Sequence, residues 1–262
     1  MDVPERLWHY TTTPGLLSIV RDKRIWATDA MYLNDSRELL EGAARLAFEA
    51  DAALEDPSPI PSPVRALWLE MRRGLSGDAK VQMPEEGPFV TCFCSEGDLL
   101  SQWRGYSSGS GYAIGFSESA LRVIAKLLGG SLSAVIYGRP DPHDQSLFLA
   151  SAMTYGQSGA RLIPGPGALA SYKHPAFREE QEWRLVVPAE RAPEAPALEV
   201  NFRSGMLGVT PYLEIPFGGD AIVAVRVGPG GDQELRRRAV QRMLEQATIS
   251  ATTSTSEAPF RG

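Results

Sequence analysis

A chain of 262 residues with 43% hydrophobic content can bury a substantial core as one large domain or two small ones, which excludes a disordered chain. The net charge of −6, with no run of five or six basic residues, leaves no electrostatic footprint for a nucleic-acid backbone, so nucleic acid is not indicated as a partner. The start, MDVPERLWHY, lacks the charged and apolar regions of a signal peptide, and no apolar stretch is long enough to span a bilayer; a cytoplasmic protein with no membrane partner is expected.

In chain order, RLWHYT reads as a strand and TPGLLSIVRDKR as a helix, with Thr13 as its cap and Pro14 in the first helical position. Leu16, Leu17, Ile19 and Val20 give that helix an apolar stripe. IWAT is a short strand, and residues 33–54 form a long helix whose Asp35 and Glu38 have capping-box spacing. The proline-rich stretch at 55–63 is a hinge into a helix from Val64 to Leu75. GPFVTCFCS is a strand, followed by the polar and aromatic loop EGDLLSQWRGYSSGSG and the strand YAIGFS, whose Tyr112, Ile114 and Phe116 face the core. Ser117 caps the helix ESALRVIAKLL, SAVIYG is a strand, and residues 144–156 are helical. After a Gly- and Pro-rich stretch come the strand at the end of EEQEWRLVV, the strands YLEIPF and AIVAVRVGP, the helix DQELRRRAVQRMLEQA and a last strand in TISATTST. The tail SEAPFR is expected to stay ordered through Phe260.

Strands and helices alternate irregularly, and neither GxGxxG nor GxxxxGK[ST] is present, so a mixed α+β fold is favoured, with mainly antiparallel sheets and flanking helices. The chain reads as a single domain over 1–262 with a helical insertion at about 36–80. Cys92 and Cys94 point the same way on one strand and are buried structural thiols. His9, His143 and His174 show no ligand spacing to them, and no metal site is expected.

Three stretches combine polar chemistry with an ordered setting. His9, Tyr10 and Thr11 sit where a strand ends before a helix start, a place whose free amides can hold an anion; a satisfied core histidine is the alternative. Trp103, Arg104, Tyr106 and Ser107 pair aromatic rings with a guanidinium that can stack on a flat ring and clamp a phosphate; the alternative is an ordinary loop packed by its aromatics. In EEQEWRLVV, strand alternation puts Glu180, Glu182 and Arg184 on one face, either as a solvated edge or as a site. A carboxylate there can bind a ribose hydroxyl and stabilise positive charge as a C1′–N bond breaks. Arg184 then keeps the acids ionised, or it is a surface salt bridge.

The order LWHYTTTPGLLSIVRDKRIWATDAMYLNDSRE, CFCSEGDLLSQWRGYSSGSGYAIGF, YKHPAFREEQEWRLV and SEAPFR resembles, over nearly the whole chain, the bacterial family called domain of unknown function 2971. That name supplies no activity. An early strand histidine, aromatic residues midway and a glutamate heading a later strand are more distantly similar to the ADP-ribosyltransferase superfamily, whose members split NAD and transfer ADP-ribose. That resemblance implies an ADP-ribosyltransferase-like fold with NAD as substrate. It places His9 on the adenosine side, Tyr106 against nicotinamide, Glu182 on the ribose 2′-hydroxyl and Glu180 as the acceptor-side acid, with Arg104 or His9 anchoring the pyrophosphate. The sequence departs from the superfamily in having no STS triplet after the aromatic residue. The implied activity is transfer of ADP-ribose to a macromolecule or to water, in the setting of a toxin or antiviral effector. The alternative is a module that binds a nucleotide without turning it over, or a plain interaction domain.

Overall fold

The computed structural model describes residues 3–33, 87–106, 111–137, 170–189, 193–205 and 207–259, with isolated positions between 48 and 69. The helices expected over 33–54, 64–75 and 144–156, the insertion at about 36–80, Ser107 and Phe260 lie largely or wholly outside the described residues.

The chain opens with β1 (Arg6–Thr11), α1 (Thr13–Asp22) and β2 (Arg24–Asp29). Thr12, rather than Thr13, caps α1: its side chain accepts from the Gly15 amide, and Pro14 falls in the first turn, where no amide is needed. Lys23 ends the helix in the left-handed region. β3 (Phe89–Cys94) leads to α2 (Leu100–Tyr106), β4 (Tyr112–Ser117) and α3 (Glu118–Leu127). Ser117 caps α3 through the Ala120 amide as expected, and Leu121 and Ala125, one turn apart, form its buried stripe. The stretch read as the strand SAVIYG divides at Val135 into β5 (Ser131–Ala134) and β6 (Ile136–Tyr137). Then follow β7 (Tyr172–Lys173), a 3-10 turn over Pro175–Glu180 and β8 (Glu182–Val187). The last part holds β9 (Val200–Gly205), which the sequence reading did not find, β10 (Gly208–Pro216), β11 (Ile222–Val227), α4 (Gln233–Gln246) and β12 (Thr252–Thr255).

The result is a mixed α+β fold. Among the described residues ten strands form one sheet in the order β12-β11-β4-β1-β3-β2-β10-β9, with β8 on β3 and β5 on β8. All pairings in it are antiparallel except β11 with β12. β6 and β7 form a separate parallel pair.

The sheet forks at β3. One edge of β3 pairs with β8 along its length, from Phe89 opposite Val187 to Cys94 opposite Glu182. The other edge meets β2 at one end, Thr28 opposite Val90, and β1 at the other, Trp8 opposite Cys94. At the fork Thr91 Oγ1 donates to the Trp26 carbonyl, and His9 Nδ1 pairs with the Cys92 carbonyl.

Alternation then divides the side chains between two faces. On one, Leu7, Phe93, Ile114, Phe116, Leu185, Leu213 and Val225 pack with Leu16, Leu121 and Leu244 from the helices to form the main core. Each such fully buried side chain contributes about 1.5 to 3 kcal/mol. On the other, Trp8, Tyr10, Cys94, Ala113 and Ala224 pack around Trp103 of α2. Among the described residues no helix is long and apolar enough to cross a membrane.

Candidate functional site

The site is built where β8 begins. Glu180 is not on the strand: it ends the 3-10 turn, and Gln181 follows it at φ 45°, in the left-handed region. That conformation costs a non-glycine residue about 1 to 2 kcal/mol and persists where neighbours over-determine it. Here Ser95 holds Gln181 twice, donating its amide to the Gln181 carbonyl at 3.1 Å and its hydroxyl to Oε1 at 2.8 Å. The kink achieves what simple alternation was expected to give. It aims Glu180 and Glu182 at one partner.

The partner is Lys173, which the sequence reading did not single out. Its ammonium donates to Glu180 Oε2 at 2.8 Å and to Glu182 Oε2 at 2.9 Å. Two carboxylate oxygens in hydrogen-bond reach of one nitrogen lie no more than about 6 Å apart. Arg184, two residues along β8 and so on the same face, donates Nε to Glu182 Oε1 at 2.7 Å and its second nitrogen to Oε2 at 3.2 Å. Its remaining amino group reaches the Ala170 carbonyl at 2.6 Å. Glu182 is 5% exposed and Arg184 2%, so the surface salt bridge considered from sequence is a buried one. The Glu182 amide donates to the Tyr137 hydroxyl at 2.8 Å, and its carbonyl accepts from Val135, which fixes the strand's first residue from both sides.

Burial alone would raise the Glu182 carboxyl, but Arg184 and Lys173 overcome it and hold it at about 2. Two acids and two cations therefore meet in one cluster, with Glu182 held ionised. Cys92, opposite Arg184 on β3, lies beside it, and burial followed by the Glu182 charge pushes its thiol well up; Cys94 rises to about 12 for the same first reason. Both are inert thiols at neutral pH.

α2 brings Tyr106 to this cluster. The stretch expected as a loop is a helix, packed on the 3-10 turn that carries Glu180. Burial, Cys92, Glu180 and Glu182 all raise the Tyr106 phenol, although the residue as a whole remains 45% exposed. It is an aromatic ring within electrostatic reach of both acids. Trp103, by contrast, is fully buried, its indole nitrogen donating to Asp98 at 2.8 Å, and it packs edge-on against Tyr10 at 4.7 Å. Tyr10 sends its hydroxyl to the Glu96 carbonyl and receives the Leu99 amide, ordering the turn into α2. Gly97 in that turn lies where a Cβ would come within 2.4 Å of the Trp8 ring, so only glycine fits. Tyr10 and Trp103 thus build the wall that carries Tyr106.

Thr11 packs against Gly15 at the start of α1, and Arg104 is exposed on α2. His9 shares the Leu7 side of β1, edge-on to Phe93 at 5.9 Å, whereas Glu182 shares the Cys94 side of β3. The structure therefore does not bring His9 to the acids. Of the expected groups it brings together Tyr106, Glu180, Glu182 and Arg184, and adds Lys173 and Tyr137. A lysine nine residues before the acid, on a two-residue strand, has no periodic signal by which sequence could find it.

Among the described residues no group of three or more His, Cys, Asp or Glu side chains is placed to hold a metal. Compared with models of known families, residues 102–185 fit one described as protein of unknown function (DUF2971). That stretch runs from α2 to β8, a narrower span than the near whole-chain resemblance read from the sequence. No curated protein and no solved structure matches the chain.

Proposed function

We propose that the protein is an ADP-ribosyltransferase-like enzyme that cleaves the C1′–N bond of NAD and passes ADP-ribose to a macromolecule or to water. The observation that carries this reading is the pairing of Glu180 with Glu182 through Lys173 beside the half-exposed Tyr106 ring. In the reaction the C1′–N electron pair leaves with nicotinamide, neutralising its ring nitrogen, and positive charge develops on the ribose. Glu182, ionised across the neutral range, faces that charge, and Tyr106 stacks on the leaving ring. Glu180, less enclosed, takes the proton from the incoming hydroxyl or water. The bacterial setting as a toxin or phage-defence effector belongs to this proposal.

The test is release of nicotinamide from NAD by the wild type, Tyr106→Ala, Glu180→Gln and Glu182→Gln. Tyr106→Ala removes a half-exposed ring, so the fold is expected to survive. Loss of turnover by about two orders of magnitude or more in the folded variants supports the reading. No release by wild type, at any enzyme concentration, defeats it.

One observation favours a second reading, a nucleotide-binding module without turnover. Both Glu182 oxygens already accept from cations, which competes with a ribose hydroxyl. That reading predicts NAD binding, seen by calorimetry, with no nicotinamide released.

A further inference from the structure

Beyond the acid cluster, the far arm of the forked sheet presents another built arrangement. The register places Trp26 opposite Glu214, Thr28 opposite Tyr212, and Thr210 opposite Arg203. Trp26, Thr28, Tyr212 and Arg203 therefore share a side of β2, β10 and β9. Trp26 is 42% exposed and leans on the Tyr212 ring, centroids 4.5 Å apart. The Arg203 guanidinium reaches back across β10 to donate to Thr28 Oγ1 at 3.0 Å and lies 5.8 Å from the Trp26 ring centre.

Arg203 differs from the other buried or half-buried arginines of the fold. Arg184 has its carboxylate and Arg236 its carbonyls, whereas among the described residues no acid stands within ion-pair distance of Arg203. Its Nε is also the buried side-chain polar atom, among the described residues, that has no hydrogen-bond partner. A buried donor without an acceptor is uncommon in a folded protein, and a guanidinium edge is shaped for two oxygens of one phosphate. The acid in the neighbourhood, Glu214, is tied to Arg24 at 3.1 Å, so it does not neutralise Arg203.

We propose that Arg203, Thr28, Trp26 and Tyr212 form a second ligand site, which takes a phosphate carried on a flat heteroaromatic ring, the chemistry of a nucleoside monophosphate or of the same group within a larger nucleotide. The guanidinium holds the phosphate through the amino group that Thr28 does not engage, and the exposed indole stacks on the ring. β2, which carries Trp26 and Thr28, lies two strand spacings from β8, roughly 10 Å, and β9 lies four, roughly 19 Å. The site shares no residue with the acid cluster and stands whether or not Glu182 is catalytic.

The test is calorimetric titration of the full chain with AMP, adenosine and inorganic phosphate, for wild type, Arg203→Gln, Arg203→Lys, Trp26→Ala and Glu182→Gln. AMP is expected to saturate wild type and to bind more tightly than adenosine or phosphate alone. Arg203→Gln and Trp26→Ala are each expected to weaken it about tenfold or more, with Arg203→Lys in between. Glu182→Gln is expected to bind AMP as wild type does. Should Arg203→Gln fail to melt cooperatively, Trp26→Ala, which removes an exposed ring, carries the test. The proposal is overturned if AMP does not saturate, if phosphate binds as well as AMP, if the folded Arg203 and Trp26 variants bind AMP like wild type, or if a cooperatively melting Glu182→Gln abolishes binding.

Discussion

Glu182 and Arg184, two residues apart on β8, form a two-point ion pair enclosed by the fold, at 2.7 and 3.2 Å. Lys173 adds a second cation to the same carboxylate, and the three charges are stable as a set because none is left alone in a low-dielectric setting. Glu182→Gln breaks the set, leaving two cations against one acid, and is expected to cost about 3 to 5 kcal/mol at pH 7. The carboxyl is depressed from 4.5 to about 2, so its contribution is complete above pH 4.5 and is lost as pH falls from there toward 2. Urea unfolding of wild type and variant across that window checks the sign. The gap between the two must close as pH drops.

Lys173→Met separates the roles of the two cations. With the ammonium gone, Glu180 and Glu182 face each other across the space it filled, while Arg184 still holds Glu182. The Glu182 carboxyl is then expected to titrate above its wild-type value, and nicotinamide release, where present, to fall. Carbon-13 NMR of the glutamate carboxyls follows the first effect directly. An unmoved titration would mean that Arg184 alone sets the charge.

Much of this architecture is legible in the chain. The alternation of RLWHYT and YAIGFS, the Ser117 cap and the Gly-bounded AIVAVRVGP fix their elements because local chemistry and burial agree there. Elsewhere tertiary context decides. SQWRGY carries a glycine and reads as loop, yet it is helical because Trp103 is swallowed by the wall that Tyr10 and Trp8 provide. β9 was missed because VNFRSG is short and ends in Ser-Gly, and its apolar Val200 and Phe202 face solvent while the chain pairs with β10. The acids were found, but their convergence comes from a left-handed Gln181 and a distant lysine, neither of which has a sequence signature.

Gln181 itself is testable. Gln181→Gly relieves the left-handed conformation, worth about 1 kcal/mol, while removing the Ser95 side-chain bond, also worth about 1 kcal/mol. The two changes are expected to offset, leaving the melting temperature nearly unchanged. Gln181→Val loses the bond and adds a β-branched residue at positive φ, so a loss of about 2 kcal/mol is expected. Equal melting of the two variants would show that the backbone relaxes out of this conformation.

His9 offers a test by titration. Burial lowers its imidazole below 6.5, and the bond to the Cys92 carbonyl opposes that fall without reversing it. Because a carbonyl only accepts, Nδ1 carries the proton in the neutral ring. The ring must therefore stay neutral below the ordinary histidine range. Its contribution to stability is complete above pH 6.5 and declines as pH falls toward the lowered folded value. Proton–nitrogen NMR should show the neutral Nδ1–H tautomer at pH 6.5. A ring half charged at that pH would place His9 in solvent or beside an acid, contrary to its packing on Phe93.

Asp98 fastens the C-terminal segment to the wall that carries Tyr106. It accepts from the Trp103 indole, from the Ser256 hydroxyl and from the Glu257 amide at 2.7 Å, with Arg226 3.9 Å away. Asp98→Ala leaves a fully buried indole donor without an acceptor and releases Glu257, so a loss of about 1 to 3 kcal/mol is expected. Asp98→Asn keeps one acceptor oxygen and should retain the Trp103 bond while weakening the hold on the tail. Hydrogen exchange separates the two: the Glu257 amide is expected to exchange rapidly in both variants, whereas the amides of α2 lose protection in Asp98→Ala alone. If α2 stays protected in Asp98→Ala, Tyr10 and the apolar packing of Trp103 suffice to hold the helix, and the carboxylate serves the tail only.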